Sequence, residues 1–259
     1  MIASLFIAIS LVFMGVFMAT PAHALGPNAI VPGFNTTNFG PNDDGTYPCI
    51  GPDNGDPTPT CANPPAPVTL PFTLNFFGTN YSQLFLNNNG NVTFDSRLAD
   101  FTPFNLFTAG RVIIAPFFAD VDTRNPSSAL VTYGSSPDGK TFCVDWVGVG
   151  YYSEHADKFN SFQLLLTDRS DVSSGDFDIT FNYGPMTWET GDADGGTGGI
   201  GGIPARAGFS AGTGNPGSSD ELAGAGVTGA LLDGGAQSLA QSSRNAGGVP
   251  GRDVFTIRN

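Results

Sequence analysis

Glycine and proline interrupt this chain so often that no long helix can run through it. Of its 259 residues, 35 are Gly and 20 are Pro. Glycine costs backbone entropy inside any regular element, and proline removes a donor and clashes with the preceding turn. The segments left between these breaks are short and apolar, and many carry one or more of the 22 Phe. Asp176–Tyr183 is the plainest instance. Phe177, Ile179, Phe181 and Tyr183 alternate with Asp176, Asp178, Thr180 and Asn182, the period of a strand with one face in a core and one in water. The predicted fold class is therefore all-β: an antiparallel β-sandwich with long Gly/Pro-rich loops and at most one short helix. Leu222–Ala240, the only Ala/Leu-rich stretch, is broken by glycines and can supply no more than that helix.

Other segments fit the same plan. Leu70–Phe77 reads as a strand. Leu84–Leu86 and Val92–Phe94 flank Asn87-Asn88-Asn89-Gly90-Asn91, a hairpin signal because Asn and Gly both tolerate the positive φ of tight turns. Val112–Ala119 is apolar on both alternate faces, so it should be buried on both sides. Pro116 within it cannot donate to a ladder and implies a bulge or an edge position. Phe162–Leu166 and Val254–Ile257 complete the set. Three regions follow: a signal peptide at 1–24, an irregular arm at 25–67 and a β-sandwich at 68–259 with a flexible Gly-rich insertion at 191–202.

Ile2–Ala19 is apolar and uncharged, and it is followed by Pro21 and by Ala22-His23-Ala24. This is the pattern of a secretory signal peptide cut after Ala24, although no Lys or Arg precedes the run. The rival reading is an uncleaved anchor, since the run reaches the ~18-residue lower limit of a span; membrane contact is expected only in that case. Cysteine usage fits export. Cys49 and Cys61 bracket a Pro/Gly/Asp-rich loop with no core of its own, so a disulfide between them is the expected staple. Cys143, in the strand-like run Thr141–Trp146, reads as a buried free thiol. With 10 Lys+Arg against 23 Asp+Glu, a net charge of −13, the chain lacks the basic stripe that nucleic-acid binding requires.

Gly208-Phe209-Ser210-Ala211-Gly212 matches the G-x-S-x-G nucleophile elbow. No helix can start at the following Thr213-Gly214-Asn215-Pro216-Gly217, and no histidine follows Ser210. His155 is the only histidine beyond the leader, which excludes multi-histidine metal centres and leaves one base for Ser-His chemistry. It lies in a polar stretch read as a solvated loop. No two acids stand out as a glycosidase pair, and no catalytic residue is assigned. Calcium is the one cofactor considered, because oxygen ligands are plentiful. Asp120 and Asp122 are the metal candidates, weighed against turn capping or a salt bridge to Arg124; Asp192 and Asp194 lie in the Gly-rich insertion. No EF-hand or G-G-x-G-x-D repeat is present. Asn35, Asn80 and Asn91 begin N-glycosylation sequons.

The ordered segments resemble the NIDO (nidogen-like) domain, an extracellular domain of nidogens, tectorin and many secreted bacterial proteins. The resemblance rests on Phe77-Gly78 with Tyr81, then Leu86–Phe94, then Ile114–Asp122. Phe118 stands there where an aromatic, often Trp, is usual. Val144–Trp146, Asn160–Leu166, Phe181–Gly184 and Ala207–Gly212 continue the series, and the last gives the G-x-S-x-G match a strand rather than an elbow. The arm and the insertion depart from the family, and no EGF-like repeats accompany the domain. The resemblance implies a secreted, non-enzymatic adhesion module, with an extracellular-matrix or cell-surface protein or glycan as partner. No ligand-binding residue carries over. The alternative is a calcium- or carbohydrate-binding lectin-like module, and a secreted hydrolase ranks third.

Overall fold

The computed structural model describes residues 28–38, 40–47 and 66–258. The apolar leader, Cys49 and Cys61 lie outside the described residues. Among the described residues there are fourteen strands. In chain order they are β1 (Thr37–Asn38), β2 (Thr46–Tyr47), β3 (Val68–Phe76), β4 (Thr79–Asn87), β5 (Asn91–Thr93), β6 (Val112–Phe118) and β7 (Val121–Asp122). There follow β8 (Thr132–Ser135), β9 (Thr141–Tyr151), β10 (His155–Asp168), β11 (Phe177–Tyr183), β12 (Arg206–Ala211), β13 (Ser219–Glu221) and β14 (Arg252–Ile257). The Leu222–Ala240 stretch yields only a 3-10 turn at its end, Leu239–Gln241.

Two antiparallel sheets result. The first runs β1-β8-β9-β10-β11-β14, with β7 also pairing β9; the second runs β13-β12-β6-β5-β4-β2, with β3 also pairing β4. Aromatic rings from both sheets fill the space between them. Trp146 stacks on Phe162 at 5.3 Å, and Phe162 meets Phe117 of the other sheet at 5.3 Å. Phe209 meets Phe255 edge-on at 5.3 Å, and Phe76 meets Phe177 at 5.8 Å. Such pairs add roughly 0.5–1.5 kcal/mol each beyond their buried area. The Tyr183 hydroxyl donates across the gap to the Pro116 carbonyl at 2.8 Å.

β6 is buried on both faces, as its composition requires. Ile114 and Phe117 join the main core, while Ile113, Ala115 and Phe118 pack a second cluster with Leu98 and Leu106. The strand is interior, so Pro116 sits at a bulge and not at an edge. Arg206 pairs Phe118 while Gly208 pairs Ala115, which leaves one extra residue on β6.

Two expectations need revision. The polar face of β11 is not wet: Asn182 is fully buried and Thr180 is only 9% exposed. Asn28–Val31 lies over it. Gln163 Nε2 donates to the Val31 carbonyl at 2.8 Å and to Asp145 Oδ1 at 2.6 Å, while its Oε1 accepts from Asn182 Nδ2 at 2.7 Å. Alternation identifies a polar face but not what covers it. The arm is not wholly irregular, since β1 and β2 join one sheet each. Within the 191–202 insertion, Gly195 N donates to Asp192 O at 3.1 Å, and Ile203 N donates to Asp194 O at 3.0 Å. In the β4–β5 hairpin, Asn87 pairs Asn91 and only Gly90 takes positive φ, at 72°. The expected Asn-Gly hairpin forms, as a three-residue loop closed by a left-handed glycine.

Candidate functional site

The hairpin loop is the hub on which the acidic residues gather. Its asparagines are buried and turn inward. Tyr47 Oη donates to Asn88 Oδ1 at 3.0 Å, and Trp146 Nε1 donates to the Asn88 carbonyl at 2.9 Å. Asn88 Nδ2 donates to the Val121 carbonyl. Asn89 Oδ1 accepts from the Val121 amide at 2.9 Å, and its Nδ2 donates to Asp44 Oδ1 at 2.9 Å. The hairpin thus holds two things at once: the β6–β7 corner and the segment preceding β2. That segment, Asn42-Asp43-Asp44-Gly45, folds as a turn closed by Asn42 Oδ1 accepting from the Gly45 amide at 3.0 Å.

Asp43 and Asp44 from this turn meet Asp120 from the corner. One oxygen from each carboxylate lies within 4.8 Å of the others. They face a cavity of about 120 Å³, which Phe101, Arg124 and Tyr152 also line. Asp120 is 1% exposed, and both of its carboxylate oxygens are without a hydrogen-bond partner. Gly191 is packed so closely on it that a Cβ there would lie 2.2 Å from Asp120 Oδ2. Burial, then the charges of Asp44, Asp43, Asp194 and Asp122, push the Asp120 carboxyl up to about 9. Burial also lifts Asp44, to about 7, against the lowering effect of its bond from Asn89. Asp194 adds a further charge; its Oδ1 accepts from Thr102 Oγ1 at 2.6 Å, and its Oδ2 is buried without a partner.

Asp120 and Asp122, paired as metal candidates in the sequence, part company here. Asp122 accepts from the Arg124 amide, from Arg124 Nε and Nη2 at 3.0 and 2.6 Å, and from the Glu154 amide at 2.8 Å. Its oxygens are committed to Arg124, which also pairs Asp43 at 3.0 Å. Asp43, Asp44 and Asn89 were missed by sequence reasoning. The signal available was the Asn-Asp-Asp-Gly turn, which gained meaning only once the hairpin placed it beside Asp120.

The other candidates are dispersed. His155 is not in a loop: it opens β10, pairs Tyr151, stacks on that ring at 4.6 Å and bonds Asp192 at 2.8 Å. Ser210 lies buried in β12 of the other sheet, accepting from the Gly212 amide at 3.1 Å. Cys143 is a buried free thiol, and burial together with the adjacent Asp145 pushes it well up. A larger cavity of about 540 Å³ lies between Leu222, the 234–244 loop and Asp253. Its acid, Asp253, already accepts from Ser242 Oγ and the Arg244 amide, each at 2.8 Å.

Two packed antiparallel sheets, aromatic between and carrying an inward-turned Asn-rich hairpin over a buried acidic pocket, define an all-β sandwich module. The chain belongs to the NIDO-related family, whose match spans residues 45–229. Alpha-tectorin of Mus musculus is 33% identical over 174 residues, covering 56% of this chain and 8% of the relative. Alpha-tectorin of Gallus gallus is 35% identical over 171 residues, again 56% and 8%. Nidogen of Drosophila melanogaster is 29% identical over 164 residues, covering 52% of this chain and 12% of its own length. The chain thus spans a small fraction of each of these relatives. No solved structure matches it.

Proposed function

We propose that this protein is a secreted, non-enzymatic adhesion module that contacts an extracellular-matrix or cell-surface protein or glycan. The observation that carries the reading is the NIDO-related match over residues 45–229, with alpha-tectorin and nidogen among the relatives. The dispersal of Ser210 and His155 over different sheets, each with its own partner, supports contact over turnover. Exposed loops and edge strands such as β13 and β14 supply the contact surface. A binding screen of the protein against matrix polymers, glycans and its own cell surface is the test. Saturable binding to one class is expected; binding no better than an unrelated acidic β-sandwich, or hydrolysis of a screened polymer, would overturn the reading.

The same proposal includes export by cleavage after Ala24, which N-terminal sequencing of the secreted protein checks by finding Leu25 first. It also includes the Cys49–Cys61 disulfide. Non-reducing peptide mapping should join those two peptides and leave Cys143 free, and Cys143 appearing in a bridge would refute the pairing.

A further inference from the structure

We infer that Asp43, Asp44 and Asp120 form a calcium-binding site that clips the segment before β2 to the β6–β7 corner. Three observations carry this. The first is spacing. Calcium–oxygen distances of about 2.4 Å place oxygens on opposite sides of one ion about 4.8 Å apart, and the three carboxylates each offer an oxygen within that span. The second is the Asp120 carboxylate itself. It is 1% exposed, lines the cavity, and neither oxygen has a hydrogen-bond partner. A buried carboxyl without hydrogen-bond partners is costly, and a bound cation is one way such a group is satisfied. The third is charge. The carboxylates of Asp44, Asp43, Asp194 and Asp122 all act on Asp120, while Arg124, which lines the same cavity, makes its shortest pairing to Asp122, at 2.6 Å.

The donor chemistry selects the ion. All three groups are carboxylates, with no His or Cys among them, which favours a hard cation over zinc or copper. Magnesium demands near-ideal octahedral geometry and gives up water reluctantly, whereas calcium accepts irregular carboxylate sets. A cavity of about 120 Å³ has room for an ion and a few waters, each of which takes roughly 30 Å³ in the liquid.

The site joins segments some eighty residues apart in sequence, so its occupancy should be felt as stability and local order. The experiment is calorimetric titration of the full-length protein with calcium chloride, with thermal melting in EDTA, calcium, magnesium and zinc. We expect one calcium per chain. At about 100 times its dissociation constant the midpoint should rise by about 5–10 °C. Hydrogen exchange at the amides of residues 42–47 should slow on calcium addition. D120N should weaken calcium binding about tenfold or more while melting no lower than wild type in EDTA, since a neutral amide of the same shape replaces a carboxyl whose neutral form burial already favours; D44N provides a second variant should D120N fail to fold. D253N, remote from the pocket, should keep the full response. Absence of heat and of any shift at millimolar calcium would overturn the inference, as would a calcium response undiminished in D120N and D44N. An equal or larger response to magnesium or zinc would overturn the assignment to calcium.

Discussion

Gly90 shows how much one residue can decide. Its φ of 72° closes the hairpin, and a Cβ at this position would sit 1.8 Å from the Phe117 carbonyl oxygen. G90A therefore meets both backbone strain and a clash with an interior strand. Chemical denaturation should show a loss of about 3 kcal/mol or more, against a smaller loss for G33A, where φ is also positive, at 106°, but a Cβ would meet no neighbouring atom. Asp145 illustrates a different constraint. Burial raises its carboxyl above the ordinary 3.8, opposed by bonds to Gln163 and Cys143. A folded value above the unfolded one means that the fold favours the protonated form. That contribution is full below the unfolded value and is lost as pH rises through the folded one. D145N can keep the acceptor for Gln163 and abolishes the charge. Its melting midpoint should match wild type near pH 4 and exceed it by roughly 2–4 °C at pH 7; a difference independent of pH would contradict this account.

At the level of elements, the Asn28–Val31 segment acts as a strap across the outer face of β10 and β11. Gln163 is its buckle: it bonds the Val31 amide and carbonyl, Asp145 and Asn182, and Arg252 adds a bond to the Ala29 carbonyl at 3.1 Å. Q163A leaves several buried polar groups without partners at once, so the cost should be about 2–4 kcal/mol. Hydrogen exchange should also quicken at residues 29–31. Loss of stability without quickened exchange there would mean that the strap is held by other contacts. The strap was invisible to pattern reading because Asn28–Val31 is too short to carry a period. By contrast the burial of β6 on both faces was legible, while Pro116 left a bulge and an edge position open until the pairing with β5 and β12 placed the strand inside.

For the molecule as a whole, the core belongs to neither sheet alone. Trp146 and Trp188 are both fully buried. Trp188 lies 5.8 Å from Phe117 of the second sheet and 5.4 Å from Tyr151 of the first. Separation of the sheets should therefore expose both indoles as the strands dissolve. Tryptophan fluorescence and far-UV circular dichroism are expected to give coincident unfolding transitions; a fluorescence transition preceding the loss of strand signal would show that the sheets part before they melt.

Local pattern was enough for the fold class, for most of the longer strands and for the burial of Cys143, because alternation, Gly/Pro punctuation and β-branched or aromatic runs act over a few residues. The ordered series of such segments was enough to suggest the family. Neither could place Asp43 and Asp44 beside Asp120, separate Asp120 from Asp122, or lay Asn28–Val31 over Asn182. Those relations join residues far apart in sequence, and they exist only because the β4–β5 hairpin turns its asparagines inward and the two sheets close over their rings. The chain's composition made acidic groups abundant; its tertiary structure alone decided which of them are buried together beside one small cavity, and left Asp120 there without a hydrogen-bond partner.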